Sequence, residues 1–116
     1  MQGLLSPEAY QEALCRKLHS NLGYEDFVGI WNGLLSANCD IIPLVERLKP
    51  NHRLILASNT DPIHFAHTFQ NCSVLENFES FFLSYEMRLL KPDQEFYRYV
   101  LKTLAVPAGE CVFIDD

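Results

Sequence analysis

The spacing of apolar positions changes part-way along the chain. Up to about residue 50 they recur every three or four residues, the period of an amphipathic helix. Ser6-Pro7-Glu8 opens the first helix, with Ser6 as N-cap, Pro7 at the first helical position and Glu8 at the positive end of the helix dipole. Tyr10, Leu14 and Leu18 then share one face, and residues 21–23 predict the end. Residues 24–35 place Phe27, Ile30, Trp31, Leu34 and Leu35 on a second helix. Asp40 predicts the cap of a third, with Ile41, Leu44, Val45 and Leu48 facing inward. Gly29 and Gly33 predict close helix packing.

Beyond the Lys49-Pro50-Asn51-His52 turn, short continuous apolar runs alternate with helical patterns. Leu54-Ile55-Leu56-Ala57 reads as a strand covered on both faces. Asp61 as cap and Pro62 as first residue open a helix that runs to about Phe69 or Gln70. Residues 79–84 predict a second strand around Phe81, Phe82 and Leu83. Asp93 predicts the cap of a helix that turns Phe96, Tyr97, Val100, Leu101 and Leu104 inward. Cys111-Val112-Phe113-Ile114 predicts a third buried strand, ending on Asp115-Asp116.

Strand–helix alternation implies parallel pairing in a doubly wound α/β sheet. The division expected is a helical segment over residues 1–39 and a Rossmann-like sheet unit over 40–116. Ligands of such sheets bind beyond the carboxyl ends of the strands, so the polar residues at those ends are the ones to search.

At 116 residues the chain has the length of one domain. The net charge of −6 and the absence of any basic run longer than Arg16-Lys17 argue against nucleic acid or anionic membrane as a partner. No apolar run reaches the ~18 residues of a membrane span. No basic, apolar leader opens the chain. The four cysteines are at least 24 residues apart, which excludes CxxC motifs and favours reduced thiols and a cytoplasmic location.

Three polar clusters stand where chemistry is expected: Ser58-Asn59, Lys91 and Asp115-Asp116. A hydroxyl between a strand end and a helix start can hold phosphate oxygens. A lysine adds a compact positive charge. Paired carboxylates offer hard oxygen ligands to Mg²⁺. Taken singly, each has a plainer reading: a turn serine, a solvated lysine and a frayed chain end. His64 and His67 stand at i, i+3 with no third ligand, so a packed or solvated helix face is expected rather than a metal site.

Taken in order, Ser58-Asn59-Thr60 after an apolar run, Leu90-Lys91-Pro92-Asp93, and Val112-Phe113-Ile114-Asp115-Asp116 resemble the second, third and fourth motifs of the haloacid dehalogenase-like (HAD) hydrolases. The similarity is strongest to members with a small helical cap, such as glucose-1-phosphatase-like proteins and the phosphatase domain of soluble epoxide hydrolases. It extends over Gly3 to Tyr10, Phe27 to Asn32, and Ser84 ahead of Met87. The resemblance implies Ser58 and Asn59 as phosphate or substrate ligands and Lys91 as the neutralising cation. It implies Asp116 and Asp115 as the metal pair, with Asp115 also assisting catalysis. It further implies Mg²⁺ as cofactor and a small phosphorylated metabolite as substrate, hydrolysed through an aspartyl-phosphate. The paired acids disfavour dehalogenase chemistry.

One family feature has no counterpart. No Asp-x-Asp occurs in these 116 residues, and that motif supplies the family's nucleophile on a first strand. The chain therefore reads as an internal piece of a larger hydrolase, inactive alone. In the family that strand lies between those ending at Ser58 and Asp115. The slot is expected either to close, pairing 111–114 with 54–57, or to leave sticky edges that self-associate. The alternative is a non-catalytic module or pseudoenzyme with a binding role. A phosphoacceptor receiver domain would place its acidic pair on the first strand, the reverse of the order here.

Overall fold

A computed structural model describes residues 2–115. The order is α1 (Pro7–Leu18), α2 (Tyr24–Asn32), α3 (Ile42–Leu48), β1 (Ile55–Ser58), α4 (Pro62–Asn71), a 3₁₀ turn (Ser73–Asn77), β2 (Ser80–Leu83), α5 (Ser84–Met87), α6 (Gln94–Leu104) and a second 3₁₀ turn (Ala108–Glu110). β1 and β2 pair in parallel, Ile55 opposite Ser80 through Ser58 opposite Leu83. The connection between them carries α4, as parallel pairing requires.

Local chemistry explains the helix starts. Ser6 Oγ accepts from the Ala9 N–H at 3.2 Å and Asp61 Oδ1 from the His64 N–H at 3.0 Å, each followed by proline. Asp40 does not cap α3. Ile41 holds that position in helical conformation, and Asp40 N–H is turned to Asn38 Oδ1.

Other departures have packing causes. α1 stops at His19, which adopts a left-handed conformation (φ 52°), and Leu18 is left exposed. Gln11 is buried instead, because its amide donates to the Leu22 carbonyl at 2.7 Å and so closes the loop into α2. α2 ends at Asn32, leaving Leu34 exposed. A Cβ on Gly29 would meet nothing within 4 Å, so no helix approaches there. Gly3 does have a close neighbour. It sits at φ +69°, and a Cβ there would lie 2.0 Å from the Tyr85 carbonyl oxygen.

The core lies around β2. Phe82, Leu83, Val74, Leu75 and Phe96 are buried, while Phe65, Phe69 and Phe81 form an aromatic triangle with ring centroids 5.6–5.9 Å apart. Tyr10, Phe27 and Trp31 join α1 to α2, and α2 packs on α4.

Residues 111–114 are not a strand. Among the described residues they have no ladder partner, and Val112, Phe113 and Ile114 are exposed. An apolar run becomes a strand only against a neighbour that satisfies its backbone groups, and among the described residues β1 pairs with β2 alone. Among the described residues the slot therefore does not close by pairing 111–114 with 54–57. The Cα radius of gyration is 16.3 Å, against about 13.4 Å for a compact chain of this length. The accessible surface is 8483 Å², against roughly 6,500 Å² for a folded monomer of this mass. The four cysteines are unpaired, and among the described residues no helix is long and apolar enough to cross a membrane.

Candidate active site

The carboxyl ends of β1 and β2 are joined by side chains rather than by more sheet. Ser84, fully buried just after β2, accepts from the Thr60 N–H and donates to the Thr60 carbonyl, both at 3.0 Å. Asn59 does the same to Lys91: its Oδ1 accepts from the Lys91 N–H and its Nδ2 donates to the Lys91 carbonyl, both at 2.9 Å. Each clasp satisfies a donor and an acceptor on one residue, as a sheet ladder would. Together they hold the loop after β1 against the loop that carries Lys91. The Lys91–Pro92 peptide is cis.

Lys91 then reaches across. Its side chain is only 14% exposed, its Nζ lies 2.6 Å from Asp115 Oδ2, and it stands 5.5 Å from the Phe113 ring centroid. Phe113 packs edge-on against Tyr97 of α6 at 5.3 Å. The exposed 111–115 segment is thus held at its end by an ion pair, a cation–π contact and an aromatic pair.

Ser58, Asn59, Lys91, Pro92, Tyr97 and Asp115 line one open depression of about 480 Å³. Four of the five sequence candidates therefore meet in one place, and the fifth, Asp116, lies outside the described residues. Their availability differs. The Asn59 amide is committed to the Lys91 backbone, the Thr60 N–H to Ser84 and the His64 N–H to Asp61. Ser58 and Lys91 also line the depression, with the Lys91 ammonium held by Asp115 as counter-ion. An entering phosphate would compete with Asp115 for Lys91.

The donor set bears on metal binding. Asp115 supplies the carboxylate class that Mg²⁺ takes. Among the described residues no group of three His, Cys, Asp or Glu side chains could enclose an ion. Asp115 could supply one carboxylate to such an ion, and Asp116 lies outside the described residues.

Sequence reasoning missed a second polar cluster. Trp31 Nε1–H donates to Asp61 Oδ2 at 3.1 Å, and His64 stacks on the indole with centroids 4.9 Å apart. The signal in the sequence was an N-cap aspartate with a histidine three residues on. Its partner 30 positions upstream carried none.

The model for haloacid dehalogenase-like hydrolases matches residues 7–116. The chain belongs to that family. Over all but 1% of its length it superimposes on the HAD family enzyme BT-2542 from Bacteroides thetaiotaomicron, with TM-score 0.92 and 26% identity. A predicted HAD-like family hydrolase from Porphyromonas gingivalis gives 0.82 and 23% over 99% of the chain. BT-2542 in complex with magnesium and inorganic phosphate gives 0.83 and 24% over 90%. An uncharacterized yeast protein, YMR130W of Saccharomyces cerevisiae, is 39% identical over 66 residues, 53% of this chain. The chain spans 57–60% of those solved structures and 22% of the yeast protein. The mixed helical and parallel-sheet architecture accordingly matches part of a HAD Rossmann-like core with its helices.

Proposed function

We propose that this HAD-like hydrolase chain forms the phosphate-binding side of a Mg²⁺-dependent phosphatase acting on a small phosphorylated metabolite in the cytoplasm. Residues 1–39 serve as the helical cap over the 40–116 core. The observation that carries the reading is the convergence of Ser58, Lys91 and Asp115 on one depression, with Lys91 Nζ poised 2.6 Å from Asp115. The magnesium and inorganic phosphate complex of BT-2542 supports it.

The residues divide the work. Ser58 donates to a phosphoryl oxygen, and Lys91 neutralises charge on the phosphate and on the attacking carboxylate. Asn59 keeps Lys91 in place through its backbone. The nucleophile is an aspartate supplied from outside these 116 residues. It attacks phosphorus to form an aspartyl-phosphate as the alcohol leaves, and water then releases inorganic phosphate. Asp115 and Asp116 would hold Mg²⁺, which screens phosphoryl charge when bound.

The test is complementation. Joining an apolar strand that ends in Asp-x-Asp ahead of this chain confers Mg²⁺-dependent hydrolysis of an aryl phosphate, and Lys91→Ala or Asp116→Ala removes it. Turnover that persists in chelator rejects the reading.

The exposed, unladdered Val112, Phe113 and Ile114 favour a second role for the chain alone: self-association through open strand edges.

A further inference from the structure

α2 and α4 pack along one side and leave a groove along the other. Trp31 and His64 stack with centroids 4.9 Å apart, which sets the spacing of the two helices. Tyr24, Val28 and Asn32 recur every fourth residue and share one face of α2. Ile63, Ala66 and His67 share one face of α4. With the start of α1, these side chains line an open groove of about 390 Å³. It shares no residue with the depression around Lys91.

Asn32 is the anomaly in this groove. Its Oδ1 is buried, and among the described residues it is the one buried side-chain nitrogen or oxygen without a hydrogen-bond partner. Folded proteins pair nearly all such atoms, because an unpaired one loses its water and gains nothing in return. The polar groups around Trp31, the preceding residue, are already spent. Asp61 accepts from the indole N–H and from the His64 N–H. Asn32 ends α2, so its amide can swing about its own side-chain bonds toward the groove without unwinding the helix. We propose that this groove binds a compact, neutral, largely apolar molecule that carries a hydrogen-bond donor and seats it on Asn32 Oδ1.

The walls set the rest of the ligand's chemistry. Val28, Ile63 and Ala66 present only carbon. The volume falls within the roughly 300–1,000 Å³ of small-molecule sites, which are mostly apolar with a few placed polar groups. No lysine or arginine lines the groove, so no fixed cation receives an anion there. The Tyr24 phenol is pushed up by burial and then by the Glu8 charge, so it stays a neutral donor. The same Glu8 charge repels an anionic ligand. Phosphorylated molecules are therefore matched to Lys91, and neutral ones such as aromatic carboxamides to this groove.

Benzamide is the probe, being planar, neutral and an N–H donor. N,N-dimethylbenzamide keeps the ring and carbonyl but has no N–H, and benzoate replaces the amide with a charge. In the full 116-residue chain, an NMR titration with benzamide is expected to shift the Asn32 side-chain amide and the Val28 and Ile63 methyl signals together and saturably. The dimethyl compound and benzoate are expected to bind at least about fivefold more weakly, the scale of one neutral hydrogen bond. Asn32→Leu removes the unpaired oxygen. It is expected to weaken benzamide by the same factor while raising the thermal midpoint, whereas loss of a residue that served only the fold would lower it. Ala66→Trp, at an exposed position, is expected to fill the groove and abolish the shifts, with circular dichroism unchanged. The proposal is overturned by benzamide shifts that do not saturate, by equal affinity for the dimethyl compound, or by an Asn32→Leu chain that binds as before or melts earlier. None of these outcomes depends on the phosphatase test.

Discussion

β1 has one closed edge and one open one. Toward β2 it is paired along its whole length, and the pairing is continued by the Ser84–Thr60 clasp. Behind that edge Leu83 and Phe96 are 2% and 0% exposed. Residues 111–115 reach the depression at the end of β1 through Asp115 but make no ladder with that strand. There Val112 and Ile114 are 87% and 75% exposed. Both regions are apolar in sequence. What separates them is whether a neighbour satisfies the backbone, because apolar side chains are buried only where the chain beneath them can also lose its water.

The sharpest way to break the comparison is to cut matched side chains from the two regions. Phe96→Ala is expected to cost about 3–5 kcal/mol in denaturant unfolding, the range for a large buried aromatic. The double change Val112→Ser and Ile114→Ser is expected to stay within about 0.5 kcal/mol, as for exposed positions. It is also expected to lower the sedimentation-average mass if the open edge drives association. Equal losses at the two sites would mean that the open region is packed in solution.

A smaller effect is expected where the two regions meet. Asn59→Ala removes both hydrogen bonds to the Lys91 backbone and is expected to cost about 2 kcal/mol, two ordinary hydrogen bonds. It should also loosen the Lys91–Asp115 ion pair, visible as a changed Lys91 side-chain signal by NMR. Asn59→Asp restores only the acceptor and is expected to recover part of the loss.

The smallest effect belongs to the closed side and appears only in alkali. Tyr85 holds its proton beyond the usual value of 10.0, chiefly through burial, with Glu86 and then Asp61 adding to it. A folded value above the unfolded one means that the native state keeps a proton the unfolded state has lost. The contribution is therefore complete below the unfolded value and is lost as pH rises through the folded one. Tyr85→Phe is expected to flatten that alkaline loss of stability and to leave neutral pH unaffected.

How far the molecule was legible in advance follows the range of each interaction. Ser6, Pro7, Asp61 and Pro62 act within one helical turn, and the starts they predict for α1 and α4 are the starts observed. Asp40 misled because Asn38, two residues earlier, bonds to its N–H instead. Both strands around Leu56 and Phe82 were visible as short apolar runs between polar breaks. The run at Val112 was equally apolar and did not become a strand, because its partner is not a property of the run. Ser58, Asn59, Lys91 and Asp115 were visible as motifs in order. That Asn59 spends its side chain on Lys91 was not visible, since the bond spans 32 positions.

The amino-acid sequence by itself determined the helix caps, the alternation of strand and helix, the HAD family and the identity of the polar groups at the strand ends. These depend on neighbours within a few residues, or on motif order. Only the tertiary structure decided that Ser84 and Asn59 fasten the two loops and that Lys91 meets Asp115. It also decided that Asp61 joins Trp31 to His64, and that the last apolar run lies open. Each of these is a contact between distant segments, whose free energy depends on geometry and desolvation that no local pattern encodes.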